Sequence, residues 1–238
     1  MAVRILHTND FHGALDERRQ MRLASLRGDA DLYFDTGDSI KSGNLAVPLW
    51  PEAVWPKLEA LNCTASVLGN RETHILESAF RLKLQGSRHP ILCGNLRLRD
   101  GSRPLPGTFE TLVGDVRIGV LAVMVPMVTE KMATQAASHY LWDPPIPCAQ
   151  ELAAELRGRV DLLIALTHVG YAQDVKLAQA CPQIDLILGG HSHTVLENPL
   201  KEGHTWICQG GSHGRFAGAY EWDEIAHNLT GGHLEPLQ

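Results

Sequence analysis

Short apolar runs alternate along the chain with amphipathic segments, and this alternation predicts strands and helices in turn. The strand-like runs lie at residues 3–6, 31–34, 64–68, 91–93, 108–113, 116–123, 161–166, 186–188, 205–208 and 216–222, the last of which we take as the final strand. The helix-like segments lie at residues 17–27, 52–61, 147–156 and 174–180. Strands that alternate with helices in this way are typical of an α/β fold with helices packed on the faces of its sheets.

Acidic, amide and imidazole side chains follow five of these runs, at the point where each predicted strand ends. They are Asp10, His12, Asp38, Asn70, His168, His191 and His193. Ligands of α/β folds bind beyond the carboxyl ends of the strands, so we expect these side chains to meet in one place. Any one of them alone is better explained as a helix cap or a surface residue. Seven of them at five strand ends indicate a shared site.

The donor types of this set indicate which ions it would hold. A mixture of carboxylate and imidazole suits Mn²⁺, Zn²⁺, Co²⁺ or Fe²⁺ better than Ca²⁺, which prefers oxygen ligands alone. Seven ligands are too many for one such ion but suit two ions that share a bridging carboxylate. Two ions about 3.5–4 Å apart lower the pKa of a water between them and stabilise the attacking and leaving oxygens of a phosphate ester. The set therefore predicts hydrolysis of a phosphate ester by a metal-bound hydroxide.

The composition narrows the classes of partner and location. Of the 238 residues 44% are hydrophobic and 20% are charged, which suits one globular domain spanning residues 1–238. The formal net charge of −6 gives no basic footprint for nucleic acid, and no apolar run approaches the ~20 residues that cross a membrane. No secretory signal is visible, and the five cysteines are widely spaced, so we expect reduced thiols in a cytoplasmic protein.

Five ordered blocks of the sequence carry a family resemblance. The blocks ILHTNDFHG, FDTGD, LGN-x-E, LTHVG and LILGGHSHT resemble the successive motifs of the metallophosphoesterase superfamily. They are most similar to the catalytic domain of its 5′-nucleotidase branch, which includes UDP-sugar hydrolases and 2′,3′-cyclic phosphodiesterases, and QGGSHGRFAG is similar to that branch's QAGSYGRYLG block. The resemblance implies a four-layer α-β-β-α sandwich built on two mixed sheets.

The resemblance also implies how the ligands are shared between two divalent ions, with Mn²⁺ as the first expectation and Zn²⁺, Co²⁺ or Fe²⁺ as alternatives. In the family pattern one ion takes the positions of Asp10, His12, Asp38 and His193. The other takes Asp38, Asn70, His168 and His191. Asp38 is common to both and is therefore the expected bridge. Asp174 falls where the family often has an acidic residue, and it either orients His168 or caps the following helix.

One block departs from the family pattern at the catalytic positions. The family usually has GNHEFD, whose His and Asp act as a dyad, whereas Arg71 and His74 stand at those two positions here. An arginine cannot give up its proton but can clamp phosphoryl oxygens, and His74 titrates in the range that suits a proton donor. The alternative is that His74 only begins the next helix while Arg71 pairs with Glu72 or solvent. Loss of the dyad should slow turnover without abolishing it.

The substrate stays open because nothing in the chain up to Gln238 matches the branch's C-terminal domain, whose aromatic side chains hold a nucleoside base. A nucleotide, another small phosphomonoester or a cyclic phosphodiester all fit the predicted chemistry. The competing function is a catalytically weakened metal-dependent protein that binds phosphate or nucleotide. His213, in the glycine-rich QGGSHG segment, is a candidate for the substrate side, whereas we place His89, His139, His204, His227 and His233 on the surface. The oligomeric state is undetermined.

Overall fold

The computed structural model describes residues 2–129 and 131–238, and most of its strands belong to two six-stranded sheets. The strands are β1 (Ala2–Thr8), β2 (Leu32–Asp35), β3 (Ala65–Val67), β4 (Ile91–Leu92), β5 (Leu96–Leu98), β6 (Thr108–Val113), β7 (Val116–Met124), β8 (Tyr140–Trp142), β9 (Leu162–His168), β10 (Leu186–Gly189), β11 (Leu200–Glu202), β12 (Thr205–Cys208), β13 (Phe216–Asp223) and β14 (Asn228–Pro236). The α-helices are α1 (Glu17–Gly28), α2 (Val54–Ala60), α3 (Glu77–Leu84), α4 (Pro145–Arg157) and α5 (Tyr171–Ala180), and a 3₁₀ turn spans Ala133–Ala136.

Both large sheets mix parallel and antiparallel strands. The first has the order β14-β13-β1-β2-β3-β4, in which β1 to β4 run parallel and β13 and β14 are antiparallel additions. The second has the order β11-β12-β10-β9-β7-β6, in which the four inner strands run parallel and the two edge strands are antiparallel. A separate antiparallel pair joins β5 and β8. The parallel strands bring their carboxyl ends to one edge of each sheet.

Alternating side chains divide the core into three layers of apolar contact. Ile5 of the first sheet and Val120 of the second belong to the cluster buried between the sheets. Their neighbours point outward: Leu6 packs in the cluster beneath α1, α2 and α3, and Leu121 packs in the cluster beneath α4 and α5. Because successive strand residues face opposite sides, each strand contributes to two layers. The expected four-layer α-β-β-α sandwich of two mixed sheets is confirmed.

Several helices and strands differ from those expected from the sequence. The run at residues 216–222 is not the final strand, because β14 follows it and pairs antiparallel with β13. Adjacent Gly231 and Gly232 interrupt the alternation of β14, so pairing rather than pattern holds this strand in the sheet. Helix α4 begins earlier than expected, at Pro145, since a proline is tolerated in a first turn where its missing N–H has no partner to lose. Helix α3, which buries Ala79, Phe80 and Lys83 on one face, is not among the expected helices.

His89 is not a surface residue as expected. Its side chain is only 8% exposed, and its Nε2 lies 2.9 Å from the hydroxyl of Ser66. Burial lowers the pKa of His89 to about 4. The cysteines do follow the expectation, because all five are buried and free of disulfides. None of the helices in the two described ranges combines the length and apolar character that a membrane crossing requires.

Candidate metal centre

The structure brings the seven predicted ligands together where the carboxyl ends of five parallel strands meet. Asp10 and His12 follow β1, Asp38 follows β2, and Asn70 follows β3, while the second sheet supplies the remaining three at the ends of β9 and β10. Hydrogen bonds join the two edges: Thr36 Oγ1 donates to the carbonyl of Gly189 at 3.0 Å. The site therefore lies between the two sheets and takes ligands from both.

The backbone at this edge is held in a conformation that side chains seldom adopt. Five of the candidate ligands have a positive φ between 51° and 77°: Asp10, His12, Asp38, His191 and His193. Aspartate and histidine reach this left-handed region more readily than most residues, but each such position still costs about 1–3 kcal/mol. Strained positions of this kind persist where the surrounding structure over-determines them and where a function uses them.

Asp10, His12 and His193 form the first group of converging donors. The Nε2 atoms of the two histidines lie 2.9 Å apart, and Asp10 Oδ1 lies 3.3 Å from His193 Nε2 and 3.7 Å from His12 Nε2. The second carboxylate oxygen of Asp10 accepts from Asn9 Nδ2 and from the amide of His191. Asp10 Oδ1 is buried and has no hydrogen-bond partner among the described residues. A buried carboxylate oxygen that has no hydrogen-bond partner and lies beside two imidazole nitrogens fits the binding of a cation.

Asn70, His168 and His191 form the second group. Asn70 Oδ1 lies 3.0 Å from His168 Nε2 and 2.9 Å from His191 Nδ1. The other ring nitrogen of His168 faces the carbonyl of Thr36 at 2.6 Å, which fixes the orientation of the imidazole. The amide oxygen of Asn70 and the two imidazole nitrogens therefore converge on one place, as ligands of a shared ion would.

Asp38 stands between the two groups and faces both. Its Oδ1 lies 3.5 Å from His168 Nε2, and its Oδ2 lies 3.9 Å from His12 Nδ1. Two overlapping sets of carboxylates and histidines could each hold a metal ion. One set contains Asp10, His12 and His193, and the other contains Asp10, Asp38 and His168. The donor set of carboxylate, imidazole and amide oxygen fits borderline divalent ions.

Burial and the charges of the carboxylates oppose each other in setting the pKa values of the histidines at the site. Burial alone would lower the pKa of His168, but Asp38 and Asp10 outweigh it and raise that pKa. Burial alone would raise the pKa of Asp10, but its contacts with His193 and His168 hold it below its usual value. For His12 burial prevails, followed by the charge of Arg71, and its pKa falls to about 4. The carboxylates therefore favour the charged form of His168 and His193, whereas burial favours the neutral form of His12 and His191.

Glu72 shapes the loop that carries Asp38, a role that the sequence did not reveal. Its two carboxylate oxygens accept the backbone amides of Asp38, Ser39 and Ile40 at 2.9–3.2 Å and that of Gly69 at 3.1 Å. A Cβ on Gly69 would overlap the amide nitrogen of Asp38, so only glycine permits this approach. Burial, and then the charge of Asp38, raise the pKa of Glu72 to about 7.

The structure places Arg71 at the site, whereas His74 bonds to a backbone amide outside the ligand set. The amide of Arg71 donates to Asp38 Oδ1 at 2.7 Å, and its Nε lies 4.0 Å from Asp38 Oδ2. Its Nη1 donates to the carbonyl of Lys41, and the side chain is 29% exposed, so the guanidinium borders the centre without pairing with Glu72. His74 Nδ1 instead accepts the amide of Leu76, and no hydrogen bond or ion pair among the described residues joins His74 to the ligands.

The structure also shows where two further candidates, His213 and Asp174, lie relative to the ligands. The ring of His213 lies 4.8 Å from that of His12 and 5.9 Å from that of His193, and its amide donates to the carbonyl of Asp10. His213 thus borders the first group of donors. Asp174 neither contacts His168 directly nor caps α5, because it lies within the first turn of that helix and accepts from the hydroxyl of Thr167 at 2.6 Å. Asp174 is thus bonded to the residue that precedes His168, and the charge of His168 also acts on it through space.

The sequence model for the calcineurin-like phosphoesterase family matches residues 3–195, which contain all seven ligand positions. The chain belongs to this family. This membership confirms the resemblance carried by the sequence blocks. The match also covers both halves of the centre, since it extends from β1 to the residues that follow β10.

Curated relatives agree with the family but are longer. The chain is 25% identical over 240 residues to the uncharacterized metallophosphoesterase YunD of Bacillus subtilis, covering 92% of this chain and 49% of that protein. It is 26% identical over 286 residues to the 5′-nucleotidase of Vibrio cholerae, covering 98% of this chain and 51% of that protein. The chain thus spans about half the length of these two relatives.

Solved structures share the fold. The 5′-nucleotidase precursor of Thermus thermophilus superposes with a TM-score of 0.78 at 21% identity, covering 99% of this family member and 54% of that chain. The calcineurin-like phosphoesterase YfkN of Bacillus subtilis superposes with a TM-score of 0.81 at 17% identity, covering 99% and 91% of the two chains. At such identities the likeness concerns the architecture alone.

Proposed function

We propose that this chain is a phosphohydrolase that cleaves a phosphate ester with the help of two divalent ions. The observation that carries the proposal is the position of Asp38, whose two carboxylate oxygens face two separate groups of donors. One ion would be held by Asp10, His12, Asp38 and His193, and the other by Asp38, Asn70, His168 and His191. Ions held there would lower the pKa of a bound water and offset charge on the phosphoryl oxygens.

Arg71 is the residue of this chain that we assign to the phosphoryl group. Its guanidinium borders the centre near Asp38 and is partly exposed, so an entering phosphate ester would meet it. A guanidinium stays charged and presents several N–H donors, which suits it to hold phosphoryl oxygens as negative charge develops. A proton-donor role for His74 stays a prediction, since that side chain is bonded to the backbone of Leu76 rather than to the ligands.

The substrate that we propose is a nucleotide or another small phosphomonoester, with a cyclic phosphodiester as a further member of the class. Relatives named as 5′-nucleotidases support the nucleotide within this set. Mn²⁺ is the first choice of ion, because carboxylate and amide oxygens stand beside imidazole in the same centre. A role in nucleotide catabolism and the cytoplasmic location expected from the sequence stay predictions.

One observation favours a second function, that of a weakened protein that binds phosphate or nucleotide. Arg71 occupies the position where the family usually has a histidine, and His74 makes no contact with the candidate ligands in the described structure. General acid catalysis contributes typically about 10²–10⁴-fold, so its loss would leave a slow enzyme or one that only binds.

The deciding experiment is hydrolysis of an aryl phosphate by the whole chain with added Mn²⁺ and, in parallel, with a chelator. We expect turnover that needs the metal and that disappears in Asp38→Ala. Asp223→Ala is the matched control, because Asp223 lies on β13 away from the centre and, among the described residues, its side chain accepts the amides of Ile225 and Ala226. Mn²⁺ binding without hydrolysis of any ester in a mono- and diester panel would favour the binding protein instead.

A further inference from the structure

The side chain of Asn44 touches the proposed ligand Asn70 on the side away from the histidines. Asn44 lies in the connection between β2 and α2, and its Oδ1 accepts a hydrogen bond from Asn70 Nδ2 at 2.9 Å. The opposite end of the same amide, Asn70 Oδ1, faces His168 and His191. We propose that Asn44 is a positioning residue that keeps the oxygen of the Asn70 amide pointed into the metal centre.

The orientation of an asparagine amide decides whether it is a ligand at all. Its oxygen accepts hydrogen bonds and binds cations, whereas its NH₂ group only donates. A half-turn of the amide of Asn70 would place two N–H bonds where the oxygen now lies. An acceptor behind the NH₂ group makes that half-turn unfavourable, since the turned amide would bring its own oxygen against Asn44 Oδ1. The contact therefore favours the ligating orientation as long as Asn44 keeps its own oxygen towards Asn70, and a carboxylate at position 44, which has no donor, would favour it in either orientation.

Lys83 fixes the loop that carries Asn44 against the turn that carries Asn70. The side chain of Lys83 is fully buried, and its Nζ donates to the carbonyls of Gly43 at 2.8 Å, Asn44 at 3.1 Å and Arg71 at 2.6 Å. One ammonium group thus ties the segment that carries Asn44 to the turn that carries the ligand. A buried charge is retained only where its donors are satisfied, and here three carbonyls satisfy them.

Glu52 fixes the same segment from its other side. Its carboxylate oxygens accept the amides of Lys41 at 3.0 Å and Ser42 at 3.1 Å. The loop is therefore anchored immediately before Asn44 by Glu52 and at Asn44 itself by Lys83. Because its backbone is held in this way while its side chain is exposed, Asn44 can be substituted without removing a packing contact of the core.

The proposal rests on the proposed function only in taking Asn70 as a ligand, so its test measures the metal and not the reaction. Mn²⁺ binding to the whole chain would be followed by calorimetry for five proteins: the unsubstituted chain, Asn44→Ala, Asn44→Asp, Asn44→Ala combined with Leu45→Asp, and Asn198→Ala. Asn198 is an exposed asparagine whose side chain makes no hydrogen bond to the described residues, which makes it the matched control.

We expect two ions in the unsubstituted chain and in Asn198→Ala. In Asn44→Ala one ion should bind as before, and the affinity for the other should fall about tenfold, since partners that orient a ligand typically contribute about 10–100-fold. Asn44→Asp keeps an acceptor oxygen and should restore the second ion. Asn44→Ala combined with Leu45→Asp controls for charge, because it places a carboxylate on the neighbouring, 85% exposed side chain.

Four outcomes would overturn the proposal: two ions bound by Asn44→Ala with unchanged affinities, no restoration by Asn44→Asp, full restoration by the Leu45→Asp combination, or no Mn²⁺ bound by the unsubstituted chain. If the unsubstituted chain binds two ions but hydrolyses no ester, the proposed function is contradicted and the role of Asn44 is unaffected. Circular dichroism of each protein in a chelator would show that the variants are folded before the metal is added.

Discussion

Glu72→Gln tests whether one carboxylate organises the loop that carries Asp38. In the structure the carboxylate is 1% exposed and accepts four backbone N–H groups, two on each oxygen. A glutamine has the same shape, but its oxygen can serve only one of these pairs. Its NH₂ group would then face the other two amides and leave them without an acceptor.

The expected loss of stability follows from that count. A buried donor left unsatisfied costs about 1–3 kcal/mol, so two of them cost about 2–6 kcal/mol. The substitution also removes a buried negative charge, which burial and then Asp38 already disfavour, since together they raise the pKa of Glu72 to about 7. We therefore expect a loss near the lower end, about 2–3 kcal/mol, from a total that is typically about 5–15 kcal/mol.

Glu52→Gln is the matched comparison for this measurement. Among the residues that the structure describes, the Glu52 side chain accepts two backbone amides, one on each oxygen, so its glutamine leaves a single amide unpaired and should cost about 1 kcal/mol. Urea unfolding in a chelator, followed by circular dichroism, would compare the free energies of unfolding without any contribution from metal. If Glu72→Gln loses no more stability than Glu52→Gln, the assignment of four amides to Glu72 is refuted.

Three further substitutions test the site and the buried histidine. Arg71→Ala should lower kcat/KM about 10²-fold, the usual loss of one donor to developing negative charge, and unchanged kinetics would remove Arg71 from the phosphoryl group. His74→Ala should alter kcat little, because His74 bonds to the backbone of Leu76; a large fall in kcat at constant KM would instead support the proton-donor role. Burial lowers the pKa of His89 from 6.5 to about 4, so the neutral ring contributes stability that is present above pH 6.5 and is lost as pH falls towards 4. In His89→Gln the free energy of unfolding should fall less over that window than in the unsubstituted chain, and parallel curves would contradict the assignment.

The alternation of apolar and polar residues was sufficient to predict the α/β class and most of the strands that position the centre. It failed where local pattern is weak. β14 contains two adjacent glycines and is held by its pairing with β13, and the burial of His89 depends on Trp55 and Ser66, which are distant in sequence. Tertiary contacts decided these features, and no local periodicity carries them.

The seven candidate ligands were readable from the sequence by itself, because each follows a strand and strands that run parallel end at one edge. The family pattern already implied how they divide, with Asp38 shared by both groups, whereas only the tertiary structure decided which neighbours support them. Glu72 and Lys83 gather backbone groups from segments far apart along the chain, and Asn44 reaches Asn70 across 26 positions. Such contacts depend on how loops meet after the sheets have packed. The sequence therefore determined which donor groups are available, and the folded chain determined how they are arranged.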